Sequence, residues 1–280
     1  TEAPQPDNGG AAGETINVTM NGTAQTMDLV QCLAMVANEL GPNAPAEAYK
    51  AQCVATHCWI ISQSGYPSVL GAEPGAAALA AAQEVAHVLV TYNGQVCFTP
   101  YFASASTGTA SAAEVWGNDR AWLQAVDSPY DQSVSSHWNT NGNSSGTARF
   151  SRQTLQDRIR DVMDIDLSGV DPNSWFTIQS ANQYGWVAKI QVGPDARGTV
   201  SGRWFRENLL ARQSVDGRSL RSQCFTVSYN ADLDCFIFDV YGYGHGCGMS
   251  QWGAIGYARN GWGYQDILTH YFVGTTITTY

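Results

Sequence analysis

Two stretches of this chain carry side chains from which chemistry is built. The first is Ala44-Pro45-Ala46-Glu47-Ala48-Tyr49-Lys50-Ala51-Gln52-Cys53-Val54-Ala55-Thr56-His57-Cys58-Trp59, where a carboxylate and an ammonium stand three residues apart at the head of a helical pattern. A single carboxyl so placed can act as general acid or base, provided an apolar cleft keeps it protonated. It also has a plain structural role, because a helix N-terminus and a lysine at i+3 both favour the ionised form. The second stretch, Gly242-Tyr243-Gly244-His245-Gly246-Cys247-Gly248-Met249-Ser250-Gln251-Trp252-Gly253-Ala254, has glycine at every other position from Gly242 to Gly248. If extended, it leaves one face bare and puts Tyr241, Tyr243, His245, Cys247 and Met249 on the other. Aromatic rings beside open backbone suit a sugar chain, apolar on its faces and hydroxylated at its rim. A tight bend that requires glycine explains the pattern equally well. His245 and Cys247 are the types of a thiol nucleophile and its base, but such pairs are usually assembled from distant segments.

The elements that must position these residues can be read from periodicity and turn signals. Residues 16–20 alternate as a strand and meet an Asn21-Gly22 turn. Helices are predicted over 27–40, over 46–62 with Pro45 as first residue, and over 76–87. Residues 88–92 and 96–102 form a hairpin about Asn93-Gly94, and 104–113 is a loop. A helix capped by Ser151 covers 150–163; 175–180 and 186–192 are strands; 225–229 and 236–240 make a second hairpin. Helices over 251–259, capped by Ser250, and over 264–272 close the chain. Helices and strands are segregated rather than alternating, which predicts an α+β fold. Residues 1–14, rich in Pro, Gly and acids, read as a flexible tether, 15–280 as one domain, and the Ser/Asn-rich 131–146 as a surface insertion.

Composition narrows the partners. The 280 residues carry 14 Lys+Arg against 24 Asp+Glu, a net charge of -10, which argues against a nucleic-acid partner. No apolar run reaches the ~20 residues of a membrane span. The chain opens on Thr1 rather than Met, and with its tether this predicts an exported, extracytoplasmic protein that has lost an N-terminal segment. Seven cysteines with no C-x-x-C pair predict no zinc ribbon and favour buried thiols. Cys224 and Cys235 flank a turn signal, which leaves a hairpin disulfide open as well.

The helical stretch resembles the EALKAQAVAARTY signature of the SpoIID/LytB family, and the glycine string resembles its G-x-GHGVGMSQWGA signature. Glu114-Val115-Trp116-Gly117, Ser128-Pro129-Tyr130-Asp131, Gly202-Arg203-Trp204-Phe205-Arg206, Leu220-Arg221-Ser222 and the run from Ile267 to Thr275 resemble further blocks, so the likeness covers 27–276. It implies a SpoIID-like catalytic domain over 15–280 and a lytic transglycosylase, which cleaves MurNAc–GlcNAc bonds of peptidoglycan and leaves a 1,6-anhydro sugar. Glu47 matches the family's catalytic glutamate and Glu39 a second, weaker acid. One carboxyl suffices where the sugar's own 6-OH is the nucleophile: Glu47 protonates the leaving oxygen, then takes the 6-OH proton. Lys50, His57, Arg206, Tyr243, His245, Ser250 and Gln251 stand in the matching blocks and are expected to contact the glycan. His57 replaces the usual Arg and is expected to pack rather than act as a base. The segment Tyr101-Phe102-Ala103-Ser104-Ala105-Ser106-Thr107-Gly108 lacks the Cys and His that hold zinc in some members, so neither a metal nor another cofactor is expected. LytB-type relatives imply the alternative, a glycan-binding enhancer of a cell-wall amidase.

Overall fold

The computed structural model describes residues 13–135, 146–211 and 219–280. The tether expected over 1–14 lies outside these residues except for its last two, as does most of the insertion expected over 131–146. In chain order the helices are α1 (Leu29–Ala37), α2 (Ala46–Ile61), α3 (Ala76–Val85), α4 (Ala112–Trp116), α5 (Asp131–Val134), α6 (Arg152–Met163), α7 (Gly202–Trp204), α8 (Gln251–Arg259) and α9 (Tyr264–Tyr271). Among the described residues stand small, mostly antiparallel sheets and no barrel, an α+β fold. The chain divides into two compact units: Thr1–Tyr101 with Ala121–Leu123 and Gln251–Tyr280, and Phe102–Arg120 with Gln124–Ser250. The region expected as one domain, 15–280, spans both. Among the described residues no helix is long and apolar enough to cross a membrane.

In the first unit, strands Thr15–Met20 and Thr23–Asp28 pair antiparallel about Asn21-Gly22, and Ser68–Val69 joins Thr15–Met20 in parallel. α1 starts later than the predicted 27, because Asp28 accepts the N–H of Gln31 and so caps the helix from the end of the strand. Pro45 is the N-cap of α2 rather than its first residue. The sequence pattern predicts one apolar face for α2. The fold buries it round most of its circumference, against α1, α3, α8, α9 and strand Val88–Tyr92. Its alanines and cysteines are small enough to admit neighbours on every side, and a helix so enclosed needs no apolar stripe. The hairpin strand predicted over 96–102 is only Gln95–Val96. Cys97 N–H still reaches Val90 O, but the Val90 N–H goes to Cys58 Sγ at 3.1 Å and the ladder ends.

In the second unit, strand Thr147–Ser151 pairs with Cys235–Val240, which pairs with Phe225–Asn230. A separate meander joins Phe176–Ala181, Val187–Val192 and Thr199–Ser201. The aromatic core gathers Phe150, Trp175, Phe205, Phe225, Phe236 and Phe238. Ser151 caps α6 as expected, accepting the N–H of Thr154, but Phe150 belongs to the strand before it. The hairpin register sets Cys235 opposite Asn230 and Val240 opposite Phe225, so Cys224 and Cys235 sit at opposite ends and no disulfide joins them. All seven cysteines are buried free thiols.

The glycine string is not extended. Gly244 and Gly246 have φ of 114° and 84°, a region closed to most side chains. A Cβ on Gly246 would stand 2.4 Å from the Trp186 ring. The face expected to lie bare for a ligand is filled by the unit's own residues, and the tight-bend reading holds.

Candidate active site

Glu47 sits in the opening turn of α2, whose N-cap proline offers no side-chain acceptor. Its carboxylate is held from two sides. Oε1 lies 3.0 Å from Lys50 Nζ, and Oε2 accepts the backbone N–H of Tyr264 at 2.8 Å. Tyr264 is the first residue of α9, whose N-cap Gly263 has no side chain to give. Glu47 therefore supplies the acceptor that the start of α9 lacks. Lys50 is shared: its Nζ also lies 2.6 Å from Glu84 Oε2 on α3. The bonds to Glu84 and then to Glu47 raise the Lys50 pKa, so it stays a firmly charged clamp. The Glu47 side chain keeps 34% of its surface open, which leaves it reachable from solvent.

Glu39, in the 3₁₀ turn Asn38–Leu40 after α1, is the second acid of this unit. Gln251, the first residue of α8, donates to its Oε2 at 3.2 Å. Burial of the carboxyl raises the Glu39 pKa, and the Gln251 bond opposes that shift. Gln251 thus meets Glu39, and its bond is not to Glu47.

His57 is 1% exposed, on α2 against the end of α3. Burial drives its pKa down to about 4, opposed by a bond to the Ala86 backbone, and its Nδ1 has no hydrogen-bond partner. It is a packed, neutral histidine. The glycan contact expected of it has no exposed atom to work with.

The remaining expected residues fall in the second unit. Arg206 lies in the π-helical segment Phe205–Ala211, half-buried, and donates from Nε to Leu220 O at 3.3 Å. Burial lowers its pKa. Tyr243 is exposed, with the Arg221 guanidinium 5.6 Å from its ring centre. The His245 ring lies between Phe102 and Trp116, at 5.5 and 5.4 Å, and its Nδ1 accepts the Cys247 N–H. The Cys247 thiol is fully buried and burial pushes its pKa up, the opposite of what a thiol nucleophile needs. The buried Ser250 hydroxyl donates to Asp131 Oδ1 at 2.7 Å and accepts the Ala105 N–H at 3.2 Å, a structural role where a substrate contact was expected. Asp131 also accepts from Ser104, Ser128 and the Ala105 N–H. Burial raises its pKa to about 6 against the pull of these four donors. It is a buried hub.

The structure brings Glu47 and Lys50 together as the sequence predicts, and adds Glu84, Gly263 and Tyr264, which sequence reasoning missed. The signal for Tyr264 was weak but present: a helix opening on glycine has backbone donors in need of an acceptor. Nothing in local spacing joins Glu84 to Lys50. Among the described residues no group of three or more His, Cys, Asp or Glu is gathered for a metal ion.

No family model matches the chain. It is 23% identical over 284 residues to the amidase enhancer of Bacillus subtilis (strain 168), across 88% of this chain and 40% of that protein. It is 26% identical over 190 residues to stage II sporulation protein D of the same organism, across 68% of this chain and 48% of the relative. The stage II sporulation protein D of Bacillus amyloliquefaciens matches over 190 residues at 26% identity. The chain spans less than half the length of these curated relatives. Taken with the signatures around Glu47 and Gly246, these likenesses support the SpoIID/LytB family for this chain.

Proposed function

We propose that this chain cleaves the glycan strands of peptidoglycan as a lytic transglycosylase, working outside the cytoplasm, with Glu47 as its acid and then its base. The observation that carries this reading is the Glu47 carboxylate itself, fixed at the end of a core helix by Lys50 and the Tyr264 N–H yet still open to solvent. A group that must give a proton to the leaving oxygen and recover one from the 6-OH has to hold its place through both steps. Two donors, Lys50 on α2 and the Tyr264 N–H on α9, do that. The acid step needs a protonated carboxyl, and a glycan covering the site supplies the desolvation that favours it. The likeness to SpoIID/LytB proteins supports the substrate class.

The test is the incubation of purified protein with denuded glycan strands, read by mass spectrometry for 1,6-anhydro ends. Cleavage that falls at least ~100-fold in Glu47→Gln, the usual worth of general acid–base catalysis, supports the assignment. Unchanged product from that variant overturns it and moves the role to Glu39, whose carboxyl burial already raises. The likeness to an amidase enhancer over 88% of the chain favours one other reading, a glycan-binding partner of a cell-wall amidase. Strands that are bound but not cut, together with a stimulated amidase, would establish that role instead.

A further inference from the structure

Beside Glu47 the first unit has a hollow that the reading above does not use. Gly261, Trp262, Asp266, Thr269 and His270 line an open cavity of about 450 Å³. Its Asp266 comes near the acid at Gly263. An atom placed at the Gly263 Cβ position would stand 3.6 Å from Asp266 Oδ2 and 3.8 Å from Glu47 Oε2. The two carboxylates are therefore no more than about 7.5 Å apart, a span comparable with the paired carboxyls of glycosidases.

The lining is rigid. The Trp262 ring leans on Tyr257 with centroids 4.4 Å apart and stands edge-on to His270 at 5.6 Å. Tyr257 and His270 are joined by a 3.0 Å hydrogen bond, and the backbone N–H of Trp262 donates to the Tyr257 carbonyl at 3.2 Å. Trp262 is half-buried, so part of its ring stays open. A fixed indole with a carboxylate, a hydroxyl and an imidazole at its rim matches a pyranose, whose apolar face stacks while its edge hydrogen-bonds. The charge selects further. Asp266 and Glu47 together repel a sugar that carries a free carboxylate, and accept from hydroxyl and amide N–H groups without penalty.

We propose that this hollow is a sugar subsite flanking Glu47, which takes an uncharged N-acetylhexosamine ring of the strand, with Trp262 as platform and Asp266 as the hydrogen-bond acceptor. The proposal rests on the glycan reading above. In it Asp266 is a positioning residue that fixes the ring, and Glu47 alone handles the proton.

The probe is the tetramer of N-acetylglucosamine, which carries no charge. It is titrated into the whole chain labelled with ¹⁵N at its indoles, with the Trp262 signal assigned by Trp262→Phe. The expected result is a saturable shift of that signal. Trp262→Phe and Asp266→Asn should weaken binding on the order of tenfold, the worth of one good contact. On denuded strands the same two variants should raise KM and leave kcat nearly unchanged, a split that a general loss of structure would not produce. Tetramer binding with an unmoved Trp262 signal, or an unchanged KM in both variants, overturns the subsite and leaves the glycan reading standing. Failure of the parent both to bind the tetramer and to bind or cut denuded strands overturns the glycan reading and the subsite with it.

Discussion

The carboxylate of Glu47 accepts the backbone N–H of Tyr264 at 2.8 Å, so the candidate catalytic group of α2 also serves as the N-terminal cap of α9. One side chain thus carries a chemical and a structural role, and substitutions should separate them. Glu47→Gln keeps an acceptor for Tyr264 and should retain the parent's stability while losing cleavage. Glu47→Ala removes the acceptor and should also cost about 1 kcal/mol, as loss of a helix cap does. Denaturant titration of the two variants beside the parent checks this. Equal stability for all three would show that the Tyr264 bond contributes nothing net.

Gly246→Ala should destabilise the second unit by at least about 1 kcal/mol, since its φ of 84° is strained for any side chain and the new methyl meets Trp186 at 2.4 Å. A thermal melt reads this directly. A variant with the parent's Tm would mean that Trp186 yields and that the close packing is not required.

His57 and Asp131 should tilt stability with pH in opposite directions. The His57 pKa is depressed from 6.5 to about 4, so the unfolded chain binds its proton first. Its contribution, about 3 kcal/mol, is present above pH 6.5 and is lost as pH falls towards 4. The Asp131 pKa is raised from 3.8 to about 6, so the folded chain holds its proton longer. Its contribution is present below pH 4 and is lost as pH rises through 6. Stability measured from pH 4 to 6.5 should rise more steeply with pH in Asp131→Asn than in the parent, and less steeply in His57→Gln. Parallel profiles for all three would contradict both assignments.

Iodoacetamide should leave the cysteines of the folded chain almost unlabelled and modify all seven once it is unfolded without reductant. All are buried, and burial pushes the thiols of Cys32, Cys58, Cys97 and Cys224 up to about 12, far from the reactive thiolate. Cleavage of denuded strands should survive the treatment. Rapid labelling of Cys247 with loss of activity would restore the thiol-nucleophile reading.

Short-range patterns were enough for much of the fold. The Asn21-Gly22 hairpin, the cap at Ser151, the start of α2 after Pro45 and the last two helices follow from neighbours within a few residues, where capping and turn chemistry act. The pairing of Glu47 with Lys50 follows too, because i and i+3 share a helix face. Pairing between distant segments carries no such local mark. Only the tertiary structure puts the start of α9 against Glu47, Glu84 against Lys50, Gln251 against Glu39 and Asp266 near Glu47. The same holds for the residues that the motifs singled out and the core then absorbed. Ser250 and His57 look like polar candidates until Asp131 and α3 close over them, since burial belongs to the packed chain and not to the residue. The alternating glycines show it most plainly. Their spacing allows a bare face or a tight bend, and it was the approach of Trp186 and the positive φ of Gly246 that decided for the bend.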